Sequence, residues 1–139
     1  MHAAVVVFPG SNADTEMIRT LRDIVGVKTT VVWHRDRTLP PGTDLVAVPG
    51  GFSYGDYLRC GAIAKTSEII GDIKRHAERG GLVLGVCNGF QILTECGLLP
   101  GALTRNAHLR FECREIFVRP RARGPFTSAL LDAGHGVLR

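Results

Sequence analysis

Residues 85–89 place a cysteine between two glycines, directly after the apolar run at residues 82–84. The pattern G-x-C-x-G between a strand and a helix is a nucleophile elbow with sulfur in place of oxygen. Glycine is expected on both sides, because Cβ atoms at 85 and 89 would collide with the backbone of so sharp a turn. The start of the following helix would favour the thiolate of Cys87, which is the reactive form. We predict that Cys87 is a catalytic nucleophile; the alternative is a buried cysteine in an ordinary turn.

A second glycine pair, Gly50-Gly51, follows the apolar run at residues 45–48. Attack of a thiolate on a carbonyl group produces an oxyanion, which needs preorganised hydrogen-bond donors. The backbone N–H of Asn88 and an N–H from the Gly50-Gly51 loop are natural donors, although the glycine pair is also compatible with a tight turn. The loop lacks the spacing and the terminal Gly-Lys-Ser/Thr of a P-loop, so it predicts no nucleotide cofactor.

Apolar runs alternate with helical patterns along the first hundred residues. The spacing predicts strands over residues 4–8, 28–33, 45–48 and 82–86, and helices over residues 14–25, 62–79 and 88–96. This order is typical of an α/β fold, a mostly parallel sheet with helices on both faces, in which ligands bind beyond the carboxyl ends of the strands. The later pattern is weaker and predicts a strand over residues 114–119, a turn at Gly124-Pro125 and the start of a strand at Val137-Leu138.

Composition places the chain among globular proteins. It has 139 residues, of which 45% are hydrophobic and 22% charged, and we expect one domain over residues 1–139. There is no apolar run of bilayer-spanning length and no signal-peptide pattern at the N-terminus. We therefore expect a cytoplasmic protein with no membrane partner.

The formal net charge is +4, and arginines are concentrated near the end of the chain. Only Phe111 and Phe117 are interleaved with them, and no nucleic-acid-binding signature accompanies them, so we expect no nucleic-acid partner. A solvated face, or a surface that meets an anionic substrate or a partner, fits better. The arginines are Arg105, Arg110, Arg114, Arg119, Arg121 and Arg123.

The remaining cysteines form no C-x-x-C pair, which disfavours a zinc or redox site, and we expect no metal. Without a secretory signal, a disulfide framework is also disfavoured. We expect each of them to be a small buried apolar residue. They are Cys60, Cys96 and Cys113.

Two motifs resemble those of a known family. Residues 49–62 (PGGFSYGDYLRCGA) and residues 85–91 (GVCNGFQ) resemble the glutamine amidotransferase subunits of phosphoribosylformylglycinamidine synthase, the PurQ family. Residues 8–12 and 105–114 are also similar to family motifs, so the resemblance covers the whole chain. The motif at 49–62 is specific to these subunits, whereas the elbow alone is shared by class I glutamine amidotransferases, whose fold is flavodoxin-like.

The resemblance implies a role for each matched residue. Cys87 would attack the side-chain amide of glutamine and release ammonia, and the resulting γ-glutamyl thioester would be hydrolysed to glutamate. The N–H groups of Gly51 and Asn88 would form the oxyanion hole, and Phe52 and Gln91 would help to hold the glutamine.

The resemblance also implies partners. A separate PurL-like synthetase subunit would use the ammonia, with ATP and magnesium, to aminate formylglycinamide ribonucleotide in de novo purine biosynthesis. A small PurS-like subunit would bridge the two, and the arginine-rich stretch could be their docking face or a solvated surface. No cofactor is implied for this chain itself.

A thiolate amidotransferase also needs a base and a group that orients it. In the family these are a histidine and a glutamate, spaced H-x-E, near the end of a longer chain. Since the sequence stops at Arg139, before any such motif, we expect it to be an N-terminal portion. His76-Ala77-Glu78 has the spacing, but residues two apart on a helix face different directions, and we expect it at the surface by chance. Of the other candidates, His34 follows a strand and could lie near the upper edge of the sheet, and His108 and His135 have no visible carboxylate partner; we expect each to be a surface or core histidine rather than a base.

Three alternatives stay open at this point. The chain could be a naturally shortened, inactive relative that binds glutamine or the synthetase as a scaffold. It could instead be a cysteine hydrolase that shares the elbow, or a class I amidotransferase with another acceptor. The motif at residues 49–62 disfavours the last two.

Overall fold

Four strands form one parallel sheet in the computed structural model, which describes residues 1–134. The strands are β1 (His2–Val7), β2 (Lys28–Trp33), β3 (Leu45–Val48) and β4 (Leu82–Gly85), and their order across the sheet is β2-β1-β3-β4. The register brings Val5 between Val31 and Ala47. β1 and β3 lie in the centre because they are the most continuously apolar strands. The four strands predicted in the first hundred residues and the parallel α/β arrangement are confirmed.

Helices cover both faces of the sheet. Helix α1 (Asp14–Arg19) continues as a π-helical segment (Thr20–Ile24), and its side of the sheet buries Val5 and Ala47 with Leu21. The opposite face is covered by α2 (Ile70–Glu78) and α3 (Asn88–Glu95). Alternate side chains of a strand point to opposite faces, so these continuously apolar strands supply two cores at once.

The predicted helix over residues 62–79 is wrong at its start. A short 3₁₀ turn (Ala64–Thr66) comes first, and Ser67 is extended, with a ψ of 146°. Its hydroxyl group lies 3.1 Å from the Tyr54 hydroxyl group, a contact with another part of the chain that helical propensity does not predict. Regular helix therefore begins only at Ile70.

The chain divides into two compact units, Met1–Thr104 and Arg105–Arg139, and the whole sheet belongs to the first. The predicted strand over residues 114–119 is wrong. All of these residues are exposed, and their backbone is irregular except for a single bridge at Val118. No strand forms because no neighbouring strand pairs along them. The predicted turn at Gly124-Pro125 is confirmed, and helix α4 (Ser128–Asp132) follows it. The strand predicted at Val137-Leu138 lies outside the described residues, and the assignment of all 139 residues to one domain stays a prediction.

Candidate active site

Cys87 occupies a strained turn between β4 and α3. Its φ of 53° and ψ of −113° lie outside the conformations that a non-glycine residue ordinarily adopts. The turn is closed by two close approaches: a Cβ at Gly85 would lie 2.7 Å from the backbone carbon of Gly89, and a Cβ at Gly89 would overlap the carbonyl oxygen of Val48. The side chain of Cys87 is exposed. The predicted elbow geometry and the steric role of both glycines are confirmed.

The Gly50-Gly51 loop lies directly beside the elbow. A Cβ placed on Gly50 would be 3.3 Å from the Cβ of Cys87. The loop is joined to the turn after β1, because Phe52 donates its N–H to the carbonyl oxygen of Gly10 at 2.8 Å. A Cβ at Gly51 would lie 2.5 Å from that same oxygen. The glycine loops that follow β1 and β3 therefore meet the elbow that follows β4 at one edge of the sheet, where the sequence predicts them.

Several backbone donors near Cys87 have no acceptor in the described part of the chain. They include the N–H groups of Gly51 and Asn88, the pair expected to form the oxyanion hole. Backbone N–H groups inside a fold are almost always paired, so a ligand atom is the natural partner for two that are left open at a loop edge and a helix start. The arrangement suits stabilisation of an oxyanion formed by attack of the Cys87 sulfur.

The side chain of Asn88 connects the elbow to the loop that follows Phe52. It is completely buried, and its Oδ1 accepts a hydrogen bond from the Ser53 N–H at 3.0 Å. Its Nδ2 donates to Gln91 Oε1 at 2.9 Å and lies 3.4 Å from Asp56 Oδ1. The sequence predicts a role only for the backbone of Asn88, because nothing in the local pattern shows where its amide group points.

The two residues expected to hold glutamine differ in their surroundings. Phe52 is 61% exposed, at the rim of the site. Gln91 is half-buried, and its side-chain oxygen is already engaged by Asn88. Beside it, burial and the neighbouring Asp56 raise the pKa of the Cys60 thiol. The amide group of Gln91 is therefore engaged at both ends, its oxygen by Asn88 and its nitrogen by the Cys60 thiol, and Gln91 is not among the residues that line the cavity beside Cys87.

A cavity of about 520 Å³ opens at the Cys87 side of the sheet. Cys87, Gly51 and Phe52 form one wall, and residues of α1 and β4 form the rest, including Met17 and Leu84. Its volume is in the range of small-molecule sites, which are commonly apolar with a few placed polar groups. A substrate the size of an amino acid fits within it.

The chain matches a family of proteins over residues 1–133, the CobB/CobQ-like glutamine amidotransferase domain. The chain belongs to this family. Among curated relatives, it is 59% identical over 128 residues to phosphoribosylformylglycinamidine synthase subunit PurQ of Bradyrhizobium diazoefficiens. It is 60% identical over 129 residues to the PurQ subunit of Cereibacter sphaeroides.

These matches cover 91% and 92% of the chain but 55% and 58% of the two relatives, so the chain spans little more than half of their length. A solved structure, PurLQS from Thermotoga maritima, contains a chain that superimposes with a TM-score of 0.79 and is 44% identical. That match covers 92% of this amidotransferase domain and 59% of the solved chain.

None of the histidines in the first unit of this amidotransferase domain lies beside Cys87. His34 follows β2, which is separated from β4 by two strands, or about 14 Å at the usual strand spacing. The predicted surface position of His76 is wrong, because this residue is buried. Its ring contacts the carbonyl oxygen of Leu82 at 3.2 Å, at the start of β4. His2 also lies at the amino end of its strand, β1.

In the second unit, His108 has a carboxylate partner that the sequence did not indicate, since its Nε2 lies 2.7 Å from Glu112 Oε1. His135 lies outside the described residues. Within residues 1–134 there is no group of three or more histidine, cysteine or acidic residues placed to hold a metal ion. None of the helices in that range is long and apolar enough to cross a membrane.

The other three cysteines only partly follow expectation. Cys96 is buried, as expected, and burial raises the pKa of its thiol to about 11. Cys60 is half-buried. Cys113 is exposed, so its predicted burial is wrong: the irregular backbone around it forms no core that could cover it.

Proposed function

We propose that this chain is the nucleophile-bearing part of a glutaminase, the amidotransferase subunit of a phosphoribosylformylglycinamidine synthase. The observation that carries the proposal is the meeting of Cys87, in its strained elbow, with the open N–H groups of Gly51 and Asn88. Glutamine offers a side-chain amide carbon to the sulfur and an oxygen to the two donors. The names of the relatives, PurQ subunits at close to 60% identity, support the choice of this synthase.

In the proposed reaction, the thiolate of Cys87 forms a C–S bond to the amide carbon of glutamine. The carbonyl oxygen takes up the negative charge, which the N–H groups of Gly51 and Asn88 stabilise. The C–N bond then breaks, and the nitrogen leaves as ammonia after taking up a proton. Water attacks the γ-glutamyl thioester, glutamate leaves and the thiolate is restored.

Phe52 and Gln91 are proposed to hold the glutamine. Phe52 contributes an apolar surface at the rim of the cavity, whereas Gln91 would have to exchange its contacts with Asn88 and Cys60 for contacts with the ligand. No group in the first unit is assigned as the base, because its histidines lie elsewhere.

The ammonia is proposed to serve a separate synthetase subunit that consumes ATP with magnesium, together with a small bridging subunit. A solved relative occurs in a complex named PurLQS, which supports such partners. The exposed arginines of residues 105–123, among exposed apolar side chains such as Phe111 and Phe117, are a suitable docking face.

The test is glutamine hydrolysis by the protein that contains this sequence, with its synthetase partner present. We expect Cys87→Ala to lower the rate at least about 1,000-fold, because the covalent step is lost. Cys96→Ala, the same change at a core thiol outside the site and the docking face, should leave the rate unchanged. Quenched samples should carry a glutamyl group on the peptide containing Cys87. Full activity in Cys87→Ala, or no hydrolysis by the unmodified protein, would refute the proposal.

A further inference from the structure

A partly buried polar cluster lies next to the loop that carries Gly51 and Phe52. The hydroxyl group of Tyr54 is 2.8 Å from Nδ1 of His34 and 3.1 Å from the hydroxyl oxygen of Ser67. Each of the three side chains is within hydrogen-bond distance of the other two, since Ser67 Oγ is also 3.3 Å from His34 Nδ1. None of them contacts Cys87, so the reaction described above does not use them.

His34 anchors this cluster, because it is the most buried of the three residues. His34 is 6% exposed, and its ring lies between those of Phe8 and Trp33, with centroids 6.2 and 4.6 Å away. Its backbone extends the sheet by donating to the carbonyl oxygen of Val7 at 3.0 Å. Burial is the main cause that lowers the pKa of His34, so the neutral ring is favoured, with a nitrogen able to accept from the Tyr54 hydroxyl.

The segment held by this anchor has an unfavourable backbone. Three consecutive residues have left-handed φ angles, 53° at Tyr54, 65° at Gly55 and 55° at Asp56. Side chains tolerate such angles only where surrounding contacts hold them. Asn88 supplies contacts at one side of the segment, through Ser53 and Asp56. The Tyr54 hydroxyl supplies the contact at the other side.

This segment is continuous with the proposed oxyanion hole. Gly55 donates its N–H to the carbonyl oxygen of Phe52 at 2.8 Å, and Tyr54 donates its own to Pro9 at 2.7 Å. A shift of Tyr54 would therefore be passed to Phe52 and to the open N–H of Gly51. Optimal stabilisation of an oxyanion needs its donors held in place before the reaction.

We infer that Tyr54, held by His34 and Ser67, is a positioning residue that fixes the Gly51-Phe52 loop for the glutamine side chain. It acts through the backbone of the loop and does not touch the reacting atoms. The inference rests on the proposed function and adds to it a polar cluster that determines how well the loop receives an amide or ketone oxygen.

The test compares two reagents that alkylate Cys87 in the protein that contains this sequence. The chloroketone analogue of glutamine must place its ketone oxygen in the oxyanion hole before the thiolate displaces chloride and forms a C–S bond. Iodoacetamide needs only an accessible thiolate, which displaces iodide. We expect Tyr54→Phe to slow labelling by the chloroketone about five- to tenfold, the effect of one hydrogen bond, and to leave labelling by iodoacetamide unchanged.

A matched control is available in the same segment. Tyr57→Phe removes the same hydroxyl group from a side chain that is 74% exposed, and both rates should stay at the unmodified level. Ser67→Ala weakens the cluster without altering Tyr54 and should reproduce the selective loss, so the test survives if Tyr54→Phe folds poorly.

Each outcome decides the matter. Selective slowing by Tyr54→Phe or Ser67→Ala supports the inference. If these variants and the unmodified protein react with the chloroketone at equal rates, the inference is overturned and the proposed function stands. The same conclusion follows if a variant slows labelling by the chloroketone and by iodoacetamide equally. If glutamine does not protect Cys87 of the unmodified protein from the chloroketone, the proposed function fails and the inference fails with it.

Discussion

The side-chain oxygen of Asn88 accepts a 3.0 Å hydrogen bond from the backbone N–H of Ser53, 35 residues earlier in the chain. Asn88 directly follows the nucleophile candidate Cys87, and Ser53 lies two residues after Gly51. One buried amide group therefore links the elbow to the loop that carries the other open donor. The relative position of the two halves of the proposed oxyanion hole depends on this contact.

Asn88→Ala should destabilise the protein. The substitution leaves the buried Ser53 N–H without an acceptor, which costs about 1–3 kcal/mol. The measurement is the free energy of unfolding in urea. The matched control is Asn106→Ala, which removes an exposed amide that donates to the Arg110 carbonyl oxygen and should change the value by less than about 0.5 kcal/mol. Equal effects of the two substitutions would contradict the linking role of Asn88.

Gly51→Ala should be far more damaging than an alanine at another left-handed glycine. A Cβ at Gly51 would lie 2.5 Å from the Gly10 carbonyl oxygen and 2.6 Å from the Asn12 nitrogen, so the loop must separate from the turn after β1 and leave its position beside Cys87. Gly26, with a φ of 72° and open space around it, isolates the conformational cost alone, on the order of 1 kcal/mol. We expect Gly51→Ala to cost on the order of 3 kcal/mol in urea unfolding and to abolish chloroketone labelling of Cys87. Similar losses in the two variants would show that the close contacts at Gly51 have no effect.

The parts of the molecule that could be predicted from sequence are those with local causes. Continuous apolar runs such as residues 45–48 have to be buried on both faces, so the parallel sheet follows from them. The elbow follows in the same way, because the reasons for Gly85 and Gly89 are steric and lie within the turn.

The parts that could not be predicted depend on contacts between distant residues. Helix α2 begins late because Ser67 contacts Tyr54 and His34, the latter 33 residues away. The buried role of the Asn88 side chain has the same origin. The run Ser53-Tyr54-Gly55-Asp56 contains the signal only as a dense set of turn residues, which shows neither their left-handed backbone nor their partners.

Cys87 should be the first thiol alkylated by limiting iodoacetamide near neutral pH. Its side chain is exposed in the strained turn that precedes α3 and lines the cavity there, whereas Cys113 is exposed on irregular backbone. Cys60 should react more slowly than Cys87, because burial raises the pKa of its thiol. Cys96 should react last, because it is buried and the pKa of its thiol is about 11. Raising the pH towards 11 should speed Cys96 most. Peptide mapping by mass spectrometry gives the order, and earlier labelling of Cys60, Cys96 or Cys113 would refute it.

Glu95 should stabilise the fold at neutral pH and cease to do so in acid. Its carboxylate receives two hydrogen bonds from the Arg59 guanidinium, at 2.9 and 2.8 Å, and these hold the pKa of Glu95 below its usual range. A carboxyl group whose pKa is lowered by folding stabilises above its unfolded pKa of about 4.3, and this contribution is lost as the pH falls through the lower folded value. Glu95→Gln should therefore lower the unfolding midpoint at pH 7, and the difference should vanish in strong acid.

The control for Glu95 is Glu78→Gln, which changes an exposed carboxylate on α2 without an ion pair in the described part of the chain. Its midpoint should match that of the unmodified protein at both pH values. A constant difference between Glu95→Gln and the unmodified protein from neutral pH to strong acid would contradict the ion-pair explanation.

The 139-residue chain by itself should hydrolyse glutamine very slowly, even with Cys87 intact. The histidines of the first unit lie at the amino ends of β1 and β4 or beyond β2, so none of them can accept the proton of the thiol or return it to ammonia. General acid–base catalysis contributes about 100- to 10,000-fold, and we expect a deficit of at least about 100-fold relative to the PurQ relative of Bradyrhizobium diazoefficiens assayed with its partners. Alkylation of Cys87 by iodoacetamide in the same preparation verifies that the elbow is folded and reactive. Ammonia release at a rate similar to that of the relative, abolished by Cys87→Ala, would mean that a group within these 139 residues reaches the sulfur and acts as the base.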